Sequence, residues 1–420
     1  MPAPGQINAA TDVRPAERAT LGILTRAFPP ELVDQVLIDC GRVEQRNRLL
    51  PARVVVYFVL AMALFGGHGY PDVGRLLVRD LEREPWWPQG RQLPTAAAIG
   101  RARLRLGAEP LRRLFEQTCP PPAARATADA WYRGRRLVAL DGAILDIPDT
   151  QPNADHFGHS VRTTARADRA ARTTARAATR PPARPADEES VSYPQARVSA
   201  LVECGTGTAL TADVGPLSTH ERALAEAIYP TLTRDMIVLA DRGTTDPATW
   251  QAALAGGADL LWQVPSRLQL PFTTRLDDGS HLTAPSGEPV GTGGPAHRAQ
   301  VRVIDFTLDT DRRNDPPHRL LTSLLDPADA PAADLAARYA HQSRSGTALD
   351  RLTPPQPART LRSRHPDGIE QEIFALLLLD RAFPTAGPSA GPSAGPATAP
   401  TAAVPAQAAP PTVQVVSAPH

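Results

Sequence analysis

The sequence has no lysine; all 45 of its Lys and Arg side chains are arginine. Set beside 45 prolines, 29 glycines and abundant alanine, this reads as GC-rich coding rather than as selection for guanidinium chemistry. Excess charge is missing too. A formal net charge of +1 excludes a uniformly basic nucleic-acid binder, although local basic faces, which set nucleic-acid affinity, remain open. Cysteine is scarce: Cys40, Cys119 and Cys204 stand alone without CxxC or Cys/His spacing, which argues against zinc or a disulfide framework and leaves reduced packing residues. Long apolar runs are absent as well. The uncharged stretch from Val54 to Phe65 has 12 residues, too short to span a bilayer and suited to a buried helix. No secretory signal opens the sequence, so a cytoplasmic protein is expected.

What is present fits a globular protein. Apolar residues make up 42% and charged residues 21%, and 420 residues are enough for two or three domains. Prolines concentrate where the chain reads as unfolded: residues 1–19, an insert at about 160–190, and the tail 384–420 with its GPSAGPSAGP and no Asp, Glu or Arg. The insert carries RTTARA twice, at 162–167 and 172–177. Its arginines would form a basic stripe if helical, but Pro181-Pro182 and the repetition favour an unfolded segment.

Residues 20–125 read as helices, with segments from Pro30 to about Gly41, over 54–65, from Pro71 to Leu81, from a Thr95 cap to Gly107, and from Pro110 to Gln117. The Thr95 helix carries Arg101, Arg103 and Arg105, so the last two helices suit a helix-turn-helix that reads a DNA groove. A bundle with an arginine-rich solvent face explains the same spacing. From 126 to 383 the pattern becomes α/β. Strands are expected at 136–140, in a hairpin of Ala196–Glu203 and Ala209–Val214, at 236–240 and at Leu260–Val264. Helices are expected over Thr219–Leu232, Pro247–Leu254, Ala332–Leu352 and Gly368–Arg381, with an all-β stretch at about 267–325.

Two of these strands finish alike, LVAL running into Asp141-Gly142 and MIVLA into Asp241-Arg242-Gly243. Strand ends at the C-terminal edge are where α/β sheets usually place chemistry. Two carboxylates there, joined by a third acid from a late helix, would hold two hard divalent cations across a phosphate. Aspartate is also common wherever a strand gives way to a loop, and spacing does not choose between the two readings.

The stretches LGILTRAFPPELVDQVL, GRVEQRNRLLPARVVVYFVLAMALF, YRGRRLVALDGAILDIPDT, VLADRG, RLLTSLLDPADAPAADLAARY and LRSRHPDGIEQEIFALLL resemble the insertion-sequence transposases of the insertion element four type, in the DDE superfamily. The resemblance runs from about Leu21 to Phe383. It implies a ribonuclease-H-like catalytic core with a β-rich insertion at 267–325, preceded by an all-α N-terminal domain that contacts DNA. Asp141 and Asp241 would be the first two catalytic acids and the ligands of Mg²⁺ or Mn²⁺ in a two-metal site. Arg101, Arg103, Arg105 and Tyr339 would contact DNA. The implied partner is double-stranded DNA carrying terminal repeats, bound by a homodimer in a synaptic complex, with no membrane and a place in the bacterial cytoplasm at the nucleoid.

The sequence departs from that family at its third motif, Tyr-x2-Arg-x3-Glu-x6-Lys. Counted from Tyr339, Gln342 stands for the Arg, Gly346 for the Glu and Thr353 for the Lys, with the register anchored by AARY before and TALD after. Glycine offers no side-chain ligand. Asp350 lies one turn further on, about 5.4 Å away, a large error where ligand distances are about 2 Å. Pro354-Pro355 end the helix early, and Thr244-Thr245 replace the family's aromatic after Asp241-Arg242-Gly243. The expectation is a transposase by descent with weakened or lost catalysis. The alternatives are a non-catalytic DNA-end binder and a decayed gene product.

Overall fold

The computed structural model describes residues 24–43, 50–81, 94–118, 123–159, 193–241, 247–270, 272–283, 300–309, 311, 316–342, 349, 352, 361–383 and 412–416. After a helical stretch at 24–27 come α1 (Pro30–Asp39), α2 (Ala52–Leu64), α3 (Tyr70–Leu81), α4 (Ala96–Leu106) and α5 (Glu109–Gln117). Helix α2 is buried on every side from Val54 to Met62, because the others pack around it. That is what an uncharged run of this length requires. Thr95 caps α4 by accepting the Ala98 amide at 3.2 Å, and Gly107 ends it at φ +72°, a left-handed conformation suited to glycine.

Strands β1 (Trp131–Tyr132) and β2 (Arg135–Asp146) follow, then α6 (Gln151–Phe157), β3 (Gln195–Glu203), β4 (Ala209–Pro216), α7 (Glu221–Ile228), β5 (Met236–Ala240), α8 (Pro247–Leu254) and β6 (Asp259–Val264). Next come β7 (Phe272–Arg275), β8 (His281–Thr283), β9 (Val301–Leu308), β10 (His318–Thr322), α9 (Ala332–Gln342), α10 (Pro366–Ala382) and β11 (Val413–Val415). One sheet takes the order β4-β3-β2-β5-β6-β10-β9-β8-β7, with β1 on β2 and β11 on β9. Strands β2, β3 and β4 pair antiparallel, β2, β5 and β6 pair parallel, and the rest continue antiparallel. The β-rich stretch expected at 267–325 therefore extends the central sheet.

Alternation along the strands divides the core. Leu137, Ala139, Ile237 and Leu239 meet Leu335, Ala336 and Tyr339 of α9, whereas Val138 and Val238 meet Ile228, Tyr229 and Trp250 on the α7–α8 side. The helical bundle leans on the α9 face through Ala196, Val198, Ala200 and Val202 of β3. Helix α10, buried from Gln371 to Asp380, packs against α2 and α5, so it completes the bundle that α1 to α5 begin.

Three expectations need correction. The strand expected at 136–140 runs to Asp146, because Ala143, Leu145 and Ile147 keep a one-sided apolar pattern and β3 pairs with it throughout. The helix expected over Thr219–Leu232 is α-helical only to Ile228, and Pro230 sits in a 3-10 turn at Tyr229–Thr231. The tail expected to be unfolded over 384–420 contains β11, whose Val413 and Val415 pack beside Leu308 on β9. Residues 1–19, the 160–190 insert, Cys119, Arg242 to Thr245, Gly346, Asp350 and Thr353 lie outside the described residues.

Candidate active site

The parallel register of β2 and β5 ends on the pair Leu140 and Ala240, so Asp141 and Asp241 follow it on neighbouring strands at the same level. Strand β5 stops there. Asp141 instead stands within β2, at the point where parallel pairing ceases and pairing with β3 continues. Its Oδ1 accepts the Gly142 amide at 2.8 Å, which turns the carboxylate towards residue 142. Asp141 is half-buried and Asp241 exposed. A shallow cleft reaches both aspartates from the α7 side and is also lined by Ser199, Glu221, Arg222 and Trp262. Sequence reasoning missed these last four. Nothing in their local pattern marks them, because β3, α7 and β6 meet only in the folded sheet.

Helix α9, which leads to the third motif, is held at both ends. At its start Asp278 accepts the Ala332 amide at 2.8 Å and pairs with the guanidinium of Arg302. Arg302 is wholly buried and also donates to Ser280 Oγ at 2.8 Å, Leu324 O at 3.2 Å and Ala330 O at 2.6 Å. Burial alone would push the Asp278 carboxyl up. The bonds from Ser280 and Ala332 and the charge of Arg302 outweigh it and hold the carboxyl below the usual aspartate range. Towards its other end, Tyr339 donates its hydroxyl to Ala240 O at 3.2 Å, directly before Asp241.

That contact corrects one expectation. Tyr339, taken as a DNA contact, is only 6% exposed and packs under the strands that carry the two aspartates. Arg103 is corrected likewise. It is 4% exposed, pairs with Glu372 at 2.9 Å and donates to Gln371 Oε1, Gly368 O and the Tyr70 hydroxyl. The signal was legible, because Ile99, Ala102, Arg103 and Leu106 share the buried stripe of α4 at helical spacing. Arg101 and Arg105 are exposed. Gln342 closes the described part of α9, half-buried. Among the described residues, no three acidic, imidazole or thiol side chains converge as a preformed cation cage. Cys40 and Cys204 are free thiols, and burial pushes that of Cys204 up.

Residues 18–116 match the family described as insertion element 4 transposase N-terminal. A transposase of Escherichia coli K12, InsG of insertion sequence element IS4, is 25% identical over 356 residues, which cover 83% of this chain and 72% of that one. Over most of its length the chain is thus similar to the insertion element 4 transposases. A putative transposase of the same organism, InsZ, is 27% identical over 216 residues, covering 51% of this chain and 61% of its own. Among solved structures, a piggyBac transposase synaptic complex with hairpin DNA is 13% identical at a TM-score of 0.37, covering 89% of this chain and 76% of that one. The family-matched segment spans α1 to α5, the bundle that α10 completes. No helix among the described residues is long and apolar enough to cross a membrane.

Proposed function

We propose that the chain is a DNA transposase with a ribonuclease-H-like core, in which Asp141 and Asp241 hold a divalent cation for strand cleavage and joining, and that catalysis in this copy is impaired. The observation that supports the reading is the register of β2 and β5, whose last pair, Leu140 and Ala240, directly precedes Asp141 and Asp241. The order β4-β3-β2-β5-β6, three antiparallel strands continued by parallel ones, suits such a core.

The donor set fits a hard cation such as Mg²⁺ or Mn²⁺: two carboxylates at an accessible edge, with no thiol or imidazole lining the cleft. Such a cation, when bound, activates water or a 3′-hydroxyl and stabilises the leaving oxygen. The residues of the chain bind and position. Asp141 and Asp241 supply anionic oxygens, and the Tyr339 hydroxyl fixes the carbonyl before Asp241. Arg101 and Arg105 present charge to the phosphates of double-stranded DNA. The bound DNA is taken to be element ends with terminal repeats, held by a homodimer at the bacterial nucleoid. The DNA-facing unit is residues 20–125 together with α10, set on the core that begins at 126.

Impairment follows from Gly346, Gln342 and Thr353, which leave the third motif without its carboxylate and both of its cations. The test is Mg²⁺- or Mn²⁺-dependent cleavage of a terminal-repeat duplex by the natural chain beside the Gly346→Glu, Gln342→Arg, Thr353→Lys triple variant. Cleavage is expected only from the triple variant, and vigorous cleavage by the natural chain would sink the impairment. A second reading, a DNA-end binder without catalysis, is favoured by the whole family-matched segment at 18–116 standing beside the broken motif. It requires the full-length chain to retard terminal-repeat DNA at low salt. Absence of any shift removes it.

A further inference from the structure

We propose that strand β11 is exchanged between two copies of the chain, each tail completing the β9 edge and bracing the α9 of its partner. One edge of β9 lies along β10. The opposite edge is shared, with β8 covering Val301 to Val303 and β11 covering Phe306 to Leu308. Without β11, that second stretch would present unpaired N–H and C=O groups among the described residues, a template for an extended chain. The strand that fills it is matched to the place. Val413 and Val415 flank the exposed Gln414, so both valines turn onto the apolar cluster that holds Leu335, Ala336 and Tyr339 of α9. Two further bonds lengthen the ladder: the Asp309 amide donates to Thr412 O at 3.1 Å and the Val416 amide to Asp305 O at 2.8 Å.

None of these contacts identifies the copy from which the strand comes. Strand β11 packs on β9 and α9, whereas α10, the helix before it in the chain, is tied through Arg381 to Ala209 and Leu210 on β4, at one end of the sheet. At about 4.8 Å per strand, the crossing from β4 to β9 covers about 30 Å. Residues 384–411 have a contour of about 90 Å, enough to serve a neighbouring copy as well. Exchange keeps every contact in place, so it is a low-cost route to a closed dimer. Once one tail has crossed, the second crosses between copies already held together, which raises its effective concentration. The connecting residues 384–411 carry no charged side chain, so two of them pass without repulsion. The exchange gives the homodimer of the preceding reading a physical joint. Helix α9, whose Tyr339 holds the carbonyl before Asp241, then rests on a strand of the other copy.

The test is disulfide trapping in the full chain, free of DNA and metal, at the registered pair Leu308 and Val413. Facing residues on antiparallel strands have Cα atoms within disulfide reach. Leu308→Cys and Val413→Cys are placed on separate chains, co-expressed, oxidised and run on a non-reducing gel. A covalent dimer is expected from the mixture and from neither variant alone, which also controls for the natural thiols. Both changes on one chain are expected to give the same dimer. A cross-linked monomer there, with no dimer from the mixture, overturns the exchange and leaves β11 a strand of its own copy. Absence of any cross-link overturns the docking of β11 and the exchange with it. Light scattering guards against a cysteine variant that misfolds. The natural chain is expected to be a dimer, and the full chain with Val413→Asp and Val415→Asp a monomer. A monomeric natural chain, or a dimer indifferent to the two aspartates, overturns the exchange. Strand cleavage is measured on DNA with metal, so these outcomes leave that reading to its own test.

Discussion

Three arginines within five residues of α4 meet two different fates. Arg103 lies in the seam between α4 and α10, where it exchanges water for Glu372, Gln371 and two oxygens from Gly368 and Tyr70. Removing one partner of a buried pair strands the other charge. Arg103→Ala is therefore expected to cost about 3–5 kcal/mol, read by urea denaturation. Arg103→Lys is expected to rescue little, since an ammonium lacks the planar fork that reaches several acceptors at once. Arg101 and Arg105 turn to solvent. Replacing either with alanine is expected to leave stability within about 0.5 kcal/mol. Each change is expected to weaken DNA binding uniformly across sequences and to flatten the salt dependence by about one unit of slope. Titration of a labelled duplex at several salt concentrations measures this.

Helix α9 is useful only where it is placed. Its amino end depends on Asp278, which caps Ala332 and neutralises a guanidinium with no access to water. Asp278→Ala is expected to cost about 3–5 kcal/mol, because Arg302 would be left charged and buried. The native carboxyl lies below its ordinary value, so its contribution is present above the unfolded aspartate range and lost as pH falls through the lowered native value. Melting temperatures followed downward from neutral pH should show a steeper acid decline for the natural chain than for Asp278→Asn. Nearer the site, Tyr339→Phe keeps the ring in the core and removes the bond to Ala240 O. It is expected to cost about 0.5–1.5 kcal/mol and to weaken Mn²⁺ binding, whereas a purely packing role would leave the affinity unchanged.

Across the whole molecule, distant parts of the chain complete one another. Helix α10 fills the bundle that α1 to α5 begin, and Arg381 near its end donates to Ala209 O and Leu210 O, tying the bundle to β4. The tail does the same for the sheet on a smaller scale. Strand β11 pairs with Phe306 to Leu308, and the Asp309 amide donates to Thr412 O at 3.1 Å. Ending the chain after Phe383 is expected to speed hydrogen exchange at Asp309 while amides of β2 and β5 keep their protection. Unchanged exchange at Asp309 would argue against β11.

Local pattern was enough for most elements, and it carried the two aspartates. Val54–Met62 had to be a buried helix because it has no polar face, Thr95 and Gly107 marked both ends of α4, and LVALD and MIVLA read as strands for want of any helical stripe. The expectation that Gly346 falls where the resembling family carries its third acid is likewise read from sequence alone. Tertiary structure decided what periodicity does not encode, namely which strands are neighbours and which faces meet. The adjacency of Asp141 and Asp241 depends on the register of strands separated by α6, β3, β4 and α7. The burial of Arg103 depends on helix α10 and that of Tyr339 on strand β5, each arriving from more than 90 residues away, and Glu221 lines the cleft only once α7 has docked on the sheet. Hydrophobic pattern specifies an element from its own residues, whereas a site at a sheet edge exists only once long-range pairing has set its register.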